Sequence, residues 1–127
     1  MQVKGIVIEG DKVGKKLGFP TANIKMEKAV EPGIYAGFTT FDGERRLSAL
    51  YIGKMRPVIL ETHIIDFSGD LYGKMITVEI MEKVREEIGG LNISEGGLSE
   101  KTLRNAIKDD IEKIKIMKKY SKKSILQ

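Results

Sequence analysis

Apolar and polar positions alternate along most of the first two thirds of the chain, which is the pattern of half-buried strands. These stretches are rich in β-branched residues and are separated by short turn signals, of which Asp42-Gly43 is the strongest. The pattern predicts five strands, at residues 3–8, 33–41, 45–53, 59–67 and 74–84. Strands joined by tight turns, with no helix between them, indicate an all-β antiparallel sheet that closes or nearly closes.

Two intervals lack this alternation and are predicted as loops. Residues 23–33 are polar and turn-like, so we expect a surface loop that could move over a ligand. Residues 89–97 are glycine-rich at both ends, so we expect a flexible loop there.

The last third of the chain changes to a helical period. Ser99 is a suitable N-cap, Glu100 lies in the first turn, and Leu98 and Leu103 are placed as a hydrophobic staple. Apolar residues then recur at helical spacing, at Leu103, Ala106, Ile107, Ile111, Ile114 and Met117. We predict a single domain, with a barrel over about residues 1–88 and a helix over about residues 99–119 that packs on it.

Composition narrows the class of protein. The 127 residues carry a net charge of +4 and contain no cysteine, which excludes disulfides and thiolate metal sites. Neither a signal-like segment nor an apolar run of membrane-spanning length is present, so we expect a cytoplasmic protein with no membrane partner. The lysine-rich end is interpreted as a solvated helix face, because Tyr120 is its only aromatic residue, and we therefore expect no nucleic-acid partner. We also expect a monomer.

The candidate chemistry begins in a glycine-rich stretch. Gly10, Gly14 and Gly18 are four residues apart, and Lys15 and Lys16 lie between them, a composition that suits phosphate. The spacing is not that of a standard phosphate-binding loop.

The residues that follow these glycines favour a cation site. Pro20 fixes its own backbone and biases Phe19 to extended geometry, so Thr21 and Asn23 should leave the turn on one face. A hydroxyl and an amide oxygen that point the same way can ligate a hard cation.

Two motifs here resemble the riboflavin kinases of bacterial and eukaryotic type. The first comprises Gly5-Ile6-Val7, the spaced glycines and the run from Leu17 to Ile24, which reads Leu-Gly-Phe-Pro-Thr-Ala-Asn-Ile. The second runs from Glu61 to Lys74 and includes Asp-Leu-Tyr-Gly. The resemblance implies a six-stranded Greek-key antiparallel β-barrel with a C-terminal helix packed outside. Many bacterial relatives are fused to an FAD-forming adenylyltransferase, for which 127 residues leave no room, so we expect a monofunctional enzyme.

The resemblance also implies a reaction. A riboflavin kinase transfers the γ-phosphate of a magnesium nucleotide to the ribityl 5′-hydroxyl of riboflavin and makes FMN. By resemblance, Thr21 and Asn23 lie at Mg²⁺ and the nucleotide phosphates. The same phosphates are expected at Gly10, Gly14, Lys15, Lys16, Gly18 and Pro20. We expect ATP as the donor, and CTP remains an alternative because a sister group of kinases on this fold uses it.

The base and the flavin contacts follow from the second motif. Resemblance carries the catalytic base onto Glu61, although the residue alone is also consistent with an ordinary glutamate on a strand. His63, on the same face of the strand, is interpreted as structural. Arg85, Asp70 and Tyr72 are the expected flavin contacts.

The chain departs from the family pattern in four places. Tyr51 replaces the usual Asn, and Val58 replaces the usual Thr. The loop from Pro57 to Glu61 is short, and the glycine-rich residues 89–97 replace a usual aromatic. These changes concern the flavin pocket and leave the phosphate residues untouched.

Two alternatives to the enzyme stay open. The first is a flavin or nucleotide sensor on the same barrel, against which the joint presence of Thr21, Asn23 and Glu61 argues. The second is a small basic barrel that binds RNA, and the 6% aromatic content argues against it.

Overall fold

The computed structural model of the chain describes residues 1–9, 18–86 and 100–126, and in the last range the side chains of residues 101–118. The predicted Ser99 cap, the Leu98 staple position and the loop at 89–97 lie outside these residues. The chain divides into two compact units, Met1–Glu87 and Ile88–Gln127. The strands are β1 (Gln2–Ile6), β2 (Ala22–Lys25), β3 (Gly33–Phe41), β4 (Glu44–Gly53), β5 (Arg56–Ile64) and β6 (Met75–Arg85), and the helix is α1 (Glu100–Leu126).

The six strands form one antiparallel sheet in the order β1-β6-β3-β4-β5-β2. A single antiparallel bridge between Ile8 and Asn23 brings the two edges together, with the Ile8 amide donating to the Asn23 carbonyl over 2.8 Å. The sheet therefore closes into a nearly complete barrel, as predicted. Closure removes most of the unpaired strand edge that an open sheet would expose.

Strand β2 is the strand that periodicity did not predict. It is only four residues long and lies in a polar stretch, so its local pattern is weak. Its pairing with β5 joins Ala22 to Thr62 and Lys25 to Ile59, some forty residues apart in the chain. Only that long-range pairing makes the segment a strand.

The rest of the predicted mobile loop is held in place by hydrogen bonds. The Met26 amide donates to the Val58 carbonyl and the Val30 amide to the Pro57 carbonyl. The Tyr35 hydroxyl donates to the Glu31 carbonyl over 2.7 Å, and burial raises the pKa of this phenol. The predicted surface loop is present, since residues 27–29 and 31 are exposed and lie outside the strands. These hydrogen bonds tie it to β3 and β5, and its movement over a ligand stays a prediction.

The hairpin between β4 and β5 is tighter than predicted. The sequence pattern predicts the start of this strand at residue 59, yet β5 begins at Arg56, which pairs with Gly53. The register of the two strands shifts between Tyr51 and Gly53, so the missing amide of Pro57 falls where the ladder is irregular.

The barrel interior is filled by alternate residues of all six strands. Six large apolar side chains of the strands are almost fully buried: Ile24, Leu50, Ile52, Leu60, Ile76 and Val78. Phe41, the last residue of β3, packs edge-on against Phe67, which follows β5, with ring centroids 4.9 Å apart. The hydrophobic effect of this burial is the main force that holds the barrel.

The helix carries the predicted apolar stripe. Leu103, Ile107, Ile111 and Ile114 are buried, and the residues between them are mostly exposed. The helix continues to Leu126, beyond the predicted end near residue 119, because the lysine-rich segment contains neither Gly nor Pro to stop it. Among the described residues, no helix is long and apolar enough to span a membrane.

Gly37 lies where β3 is paired on both sides, with β4 and with β6. A Cβ atom at this position would collide with the Glu79 carbonyl oxygen and would lie 2.6 Å from Leu50 Cδ1. The obstacle is backbone as well as a core side chain, so it cannot be relieved by a rotamer change alone.

We expect Gly37→Ala to lower the free energy of unfolding by about 3 kcal/mol, because a paired strand has to move. Gly43→Ala is the matched control: the space there is open, and the cost of about 1 kcal/mol comes from its φ of 79° alone. Urea unfolding of both variants measures the difference. If both variants lost the same free energy of unfolding, the predicted clash at Gly37 would be contradicted.

Candidate active site

A cavity of about 590 Å³ opens beside the seam where β1 and β2 meet. Its walls come from the segment after β1, the start of β2, the end of β5 and the turn before β6. Predicted site residues from both sequence motifs share this wall: Thr21, Asn23, Asp70 and Tyr72. Sequence positions fifty residues apart are therefore brought to one place by closure of the barrel.

Asn23 is held tightly at this wall. Its side chain is 4% exposed, and its carbonyl is fixed by the bridge to Ile8. Among the residues that the structure describes, its side-chain oxygen Oδ1 is buried and has no hydrogen-bond partner. A buried oxygen that makes no bond costs free energy, so this atom is suited to receive a ligand or a cation.

Glu61 lies in the middle of β5, between Leu60 and Thr62, which are both buried in the barrel. It stands directly opposite Asn23 on β2 and opposite Tyr51 on β4. Thr21 Oγ1 donates to Glu61 Oε1 over 3.5 Å. The carboxylate is thus placed by a rigid strand beside the two oxygen-bearing residues of the first motif, an arrangement that suits a positioned acid or base.

His63 is buried and lies two residues after Glu61, on the same face of β5. Its Nδ1 lies 2.9 Å from the Pro20 carbonyl oxygen, and its ring meets Phe19 edge-on with centroids 5.6 Å apart. The histidine therefore has a local structural contact, as we interpreted it. Its partner, however, is the segment that leads into Thr21, which the sequence could not show.

The three predicted flavin residues do not lie together. Asp70 Oδ1 accepts the Tyr72 amide over 2.9 Å and shapes the turn at the cavity wall. Arg85, at the end of β6, does not line the cavity. Arg85 pairs with Ile34 on β3, Ile34 pairs with Tyr51 on β4, and Tyr51 pairs with Glu61 on β5. Three strand spacings of about 4.8 Å, or about 14 Å in total, therefore separate the backbones of Arg85 and Glu61.

Of the other residues predicted to hold phosphate, four lie outside the described part of the chain and two lie inside it. Gly10, Gly14, Lys15 and Lys16 lie outside the described residues. Gly18 has a φ of 91°, a conformation that favours glycine, and Pro20 lines the cavity.

A chain of buried hydroxyls lies behind the cavity wall. Thr39 Oγ1 is 2.9 Å from Ser48 Oγ and 2.8 Å from Thr62 Oγ1, and Ser48 Oγ donates to the Arg46 carbonyl. The polar contacts join β3, β4 and β5 inside an otherwise apolar barrel. No sequence signal marks these residues, because a Thr or Ser on a strand gives no indication of its buried partners.

Comparison with known proteins gives the family. The riboflavin kinase (flavokinase) family model matches residues 1–118. The chain belongs to the riboflavin kinase family. Over 96 residues it is 42% identical to a bifunctional riboflavin kinase/FMN adenylyltransferase of Haemophilus influenzae, which covers 68% of this chain and 31% of the relative. The Escherichia coli K12 protein of the same name is 37% identical over 93 residues, covering 67% and 30%.

A further relative carries a different description. The RNA-binding riboflavin kinase RibR of Bacillus subtilis is 34% identical over 93 residues, covering 67% of this chain and 40% of the relative. The chain thus spans about a third of the length of the curated relatives it matches.

Two solved structures share the fold. A riboflavin kinase from Trypanosoma brucei matches with a TM-score of 0.67 at 21% identity, covering 91% of this chain and 78% of that one. A macrolide-efflux protein from Streptococcus pneumoniae matches with a TM-score of 0.68 at 21% identity, covering 87% and 35%. The six-stranded antiparallel barrel expected from the sequence is confirmed.

We expect Thr39→Val to destabilise the protein by about 1–3 kcal/mol although valine has nearly the same shape, because two buried hydroxyls lose their common partner. The neighbouring Thr40→Val, on the other face of β3 and partly exposed, is the matched control and should change stability little. Thermal or urea unfolding of the pair provides the comparison. A loss no larger than that of the control would show that the hydroxyl chain contributes nothing.

Proposed function

We propose that this chain is a riboflavin kinase that transfers the γ-phosphate of Mg-ATP to the ribityl 5′-hydroxyl of riboflavin and makes FMN. The observation that carries the proposal is the meeting of Thr21, Asn23 and Glu61 across the β2–β5 pair. Phosphoryl transfer needs oxygen ligands for a metal and a carboxylate beside them, and membership of the riboflavin kinase family supports this reading.

The residues at the seam fit magnesium. Mg²⁺ prefers oxygen ligands, keeps several waters and takes few protein groups. Asn23 Oδ1, buried without a partner among the described residues, and Thr21 Oγ1 would hold it. When bound, magnesium neutralises charge on the phosphate oxygens of the nucleotide.

Glu61 acts as the base in this proposal. Its carboxylate orients the 5′-hydroxyl and accepts its proton as that oxygen bonds to the γ-phosphorus. The bond from the γ-phosphorus to the bridging oxygen of the leaving diphosphate breaks, and ADP departs. The proton passes from Glu61 to solvent.

The glycine-rich segment is proposed to hold the phosphates. Gly10, Gly14 and Gly18 would allow the backbone to approach closely, and Lys15 and Lys16 would supply positive charge. The left-handed backbone of Gly18 supports this role at the edge of the described segment. Pro20 follows it and directs the chain into Thr21.

The two substrates are assigned to different sides of Glu61. Asp70 and Tyr72 share the cavity with Thr21 and Asn23, which supports contacts with the nucleotide rather than the predicted contacts with the flavin. Arg85 remains our proposed flavin contact, reached along the row through Tyr51 and Ile34. Riboflavin is an elongated molecule, so its hydroxyl end could reach Glu61 while its ring lies toward Arg85.

The proposal is limited to small-molecule substrates. The name of the Bacillus subtilis relative includes RNA binding, so our expectation of no nucleic-acid partner goes further than the relatives support. A cytoplasmic location, which the absence of cysteine favours, stays a proposal, and so does a monomeric state.

We expect Glu61→Gln to lower kcat by roughly a hundredfold, the scale of a positioned general base, because the amide cannot accept the proton. Chromatographic detection of FMN after incubation with riboflavin, Mg²⁺ and either ATP or CTP measures the activity and the donor together. Glu82→Gln, the same change at an exposed position of β6, is the control and should retain the wild-type rate.

Two results would overturn parts of the proposal. Full activity of Glu61→Gln would show that Glu61 is not the catalytic base. An absence of FMN with either nucleotide, together with measurable flavin binding, would favour the sensor instead.

We expect Asn23→Leu to raise the Mg²⁺ concentration for half-maximal activity about tenfold or more, because the buried oxygen is lost while the side-chain volume is nearly kept. Asn23→Asp keeps an oxygen at the same place and should raise it less. Magnesium titrations of FMN formation compare the two variants. If both variants needed the same Mg²⁺ concentration as the wild type, Asn23 would be excluded as a magnesium ligand.

A further inference from the structure

The strand pairing beside the proposed active site is cut short by a proline. In the β2–β5 ladder Ala22 pairs with Thr62, so a continued ladder would set Pro20 opposite Ile64. Pro20 has no amide hydrogen and cannot donate to β5. The ladder accordingly begins at Ala22, and the two residues before it need another means of attachment.

A side chain supplies that attachment. His63 Nδ1 lies 2.9 Å from the Pro20 carbonyl oxygen, and a carbonyl can only accept, so Nδ1 must carry the hydrogen. The imidazole is 8% exposed and meets Phe19 at an interplanar angle of 87°. The ring is thus held by a hydrogen bond at one atom and by a T-shaped contact with Phe19, which together fix its orientation.

The next residue of the segment is held from the same face of β5. Glu61 and His63 are two residues apart on the strand, so their side chains point the same way. Glu61 accepts a hydrogen bond from Thr21 Oγ1, while His63 donates to the Pro20 carbonyl. Two consecutive residues of the segment are therefore attached to two alternate residues of one strand.

We propose that His63 is a positioning residue: by donating Nδ1–H to the Pro20 carbonyl, it sets the Thr21 hydroxyl against Glu61 and so preorganises the site for the magnesium nucleotide. This inference rests on the proposed kinase function for its catalytic consequence. Its structural content, the Nδ1–H tautomer and the bond to Pro20, does not depend on that function.

The alternative is that His63 serves only as packing against Phe19. A packing role is indifferent to which ring nitrogen carries the hydrogen. A positioning role requires a donor at Nδ1, which is the nitrogen nearer the backbone. The two roles therefore differ in a measurable property.

The tautomer can be read directly, because His63 is the only histidine in the chain. Two-dimensional ¹H–¹⁵N correlation of the imidazole ring in ¹⁵N-labelled protein, at an alkaline pH where an ordinary imidazole is neutral, separates the two tautomers. We expect the hydrogen on Nδ1. A spectrum with the hydrogen on Nε2 would overturn the proposal without any activity measurement.

Two variants test the consequence. The side-chain nitrogen of Asn occupies the place of Nδ1, whereas that of Gln reaches the place of Nε2. We expect His63→Gln to raise the KM for Mg-ATP about tenfold, with the KM for riboflavin unchanged, because a misplaced Thr21 affects the nucleotide side first. His63→Asn should stay within about threefold of the wild type, since it restores the donor.

The outcomes separate the inference from the function. If the unmodified protein forms no FMN, the kinase proposal fails, and the tautomer spectrum still decides the bond to Pro20. If it forms FMN but the two variants share the same KM values, the positioning role is wrong although the kinase proposal stands. Thermal unfolding of each variant is measured first, and if either does not fold, the tautomer in the unmodified protein decides.

Discussion

The pairing of β2 with β5 is the constraint on which both the barrel and the proposed active site depend. It joins residues 22–25 to residues 59–62, and with the Ile8–Asn23 bridge it closes the sheet. The entropy cost of closing so long a loop is only moderate, since it grows with the logarithm of loop length. Burial of Ile24 and Leu60 in the core offsets that cost. The same four pairs set Asn23 opposite Glu61, so closure of the barrel and assembly of the site are one event.

Placing polar groups at this seam works against stability. A buried amide oxygen that has no partner in the described part of the chain, as at Asn23, is unfavourable, and so is the break in the ladder at Pro20. The apolar interior and the hydroxyl chain through Thr39 supply stability elsewhere in the barrel. Such a division is expected when a site must keep oxygen atoms ready for a ligand.

Under the proposed function, the position of the site would let two substrates meet without crossing the barrel. The cavity beside the seam collects Thr21, Asn23, Asp70 and Tyr72, whereas Glu61 begins a row that crosses β4 and β3 toward Arg85. Glu61 is linked to the cavity wall by the hydrogen bond that Thr21 donates to it, so the two regions meet at this pair. Tyr51, which departs from the family pattern, lies next to Glu61 on the row and not on the cavity wall, so under the proposed assignment of substrates its effect would fall on the flavin side.

The sequence by itself determined the class of fold, the main strands, the apolar stripe of the helix and the motifs of the riboflavin kinase family, because these depend on local periodicity and on residue types at fixed spacing. Tertiary structure alone decided that residues 22–25 form a strand, that residues 26–31 are tied down and that β5 begins before Pro57. Each of these depends on hydrogen bonds between distant segments. The site shows the same division. Glu61, Thr21 and Asn23 could be named from their motifs, but their meeting, the separation of Arg85 from Asp70 and Tyr72, and the bond from His63 to Pro20 follow from register across the closed sheet, which no local pattern encodes.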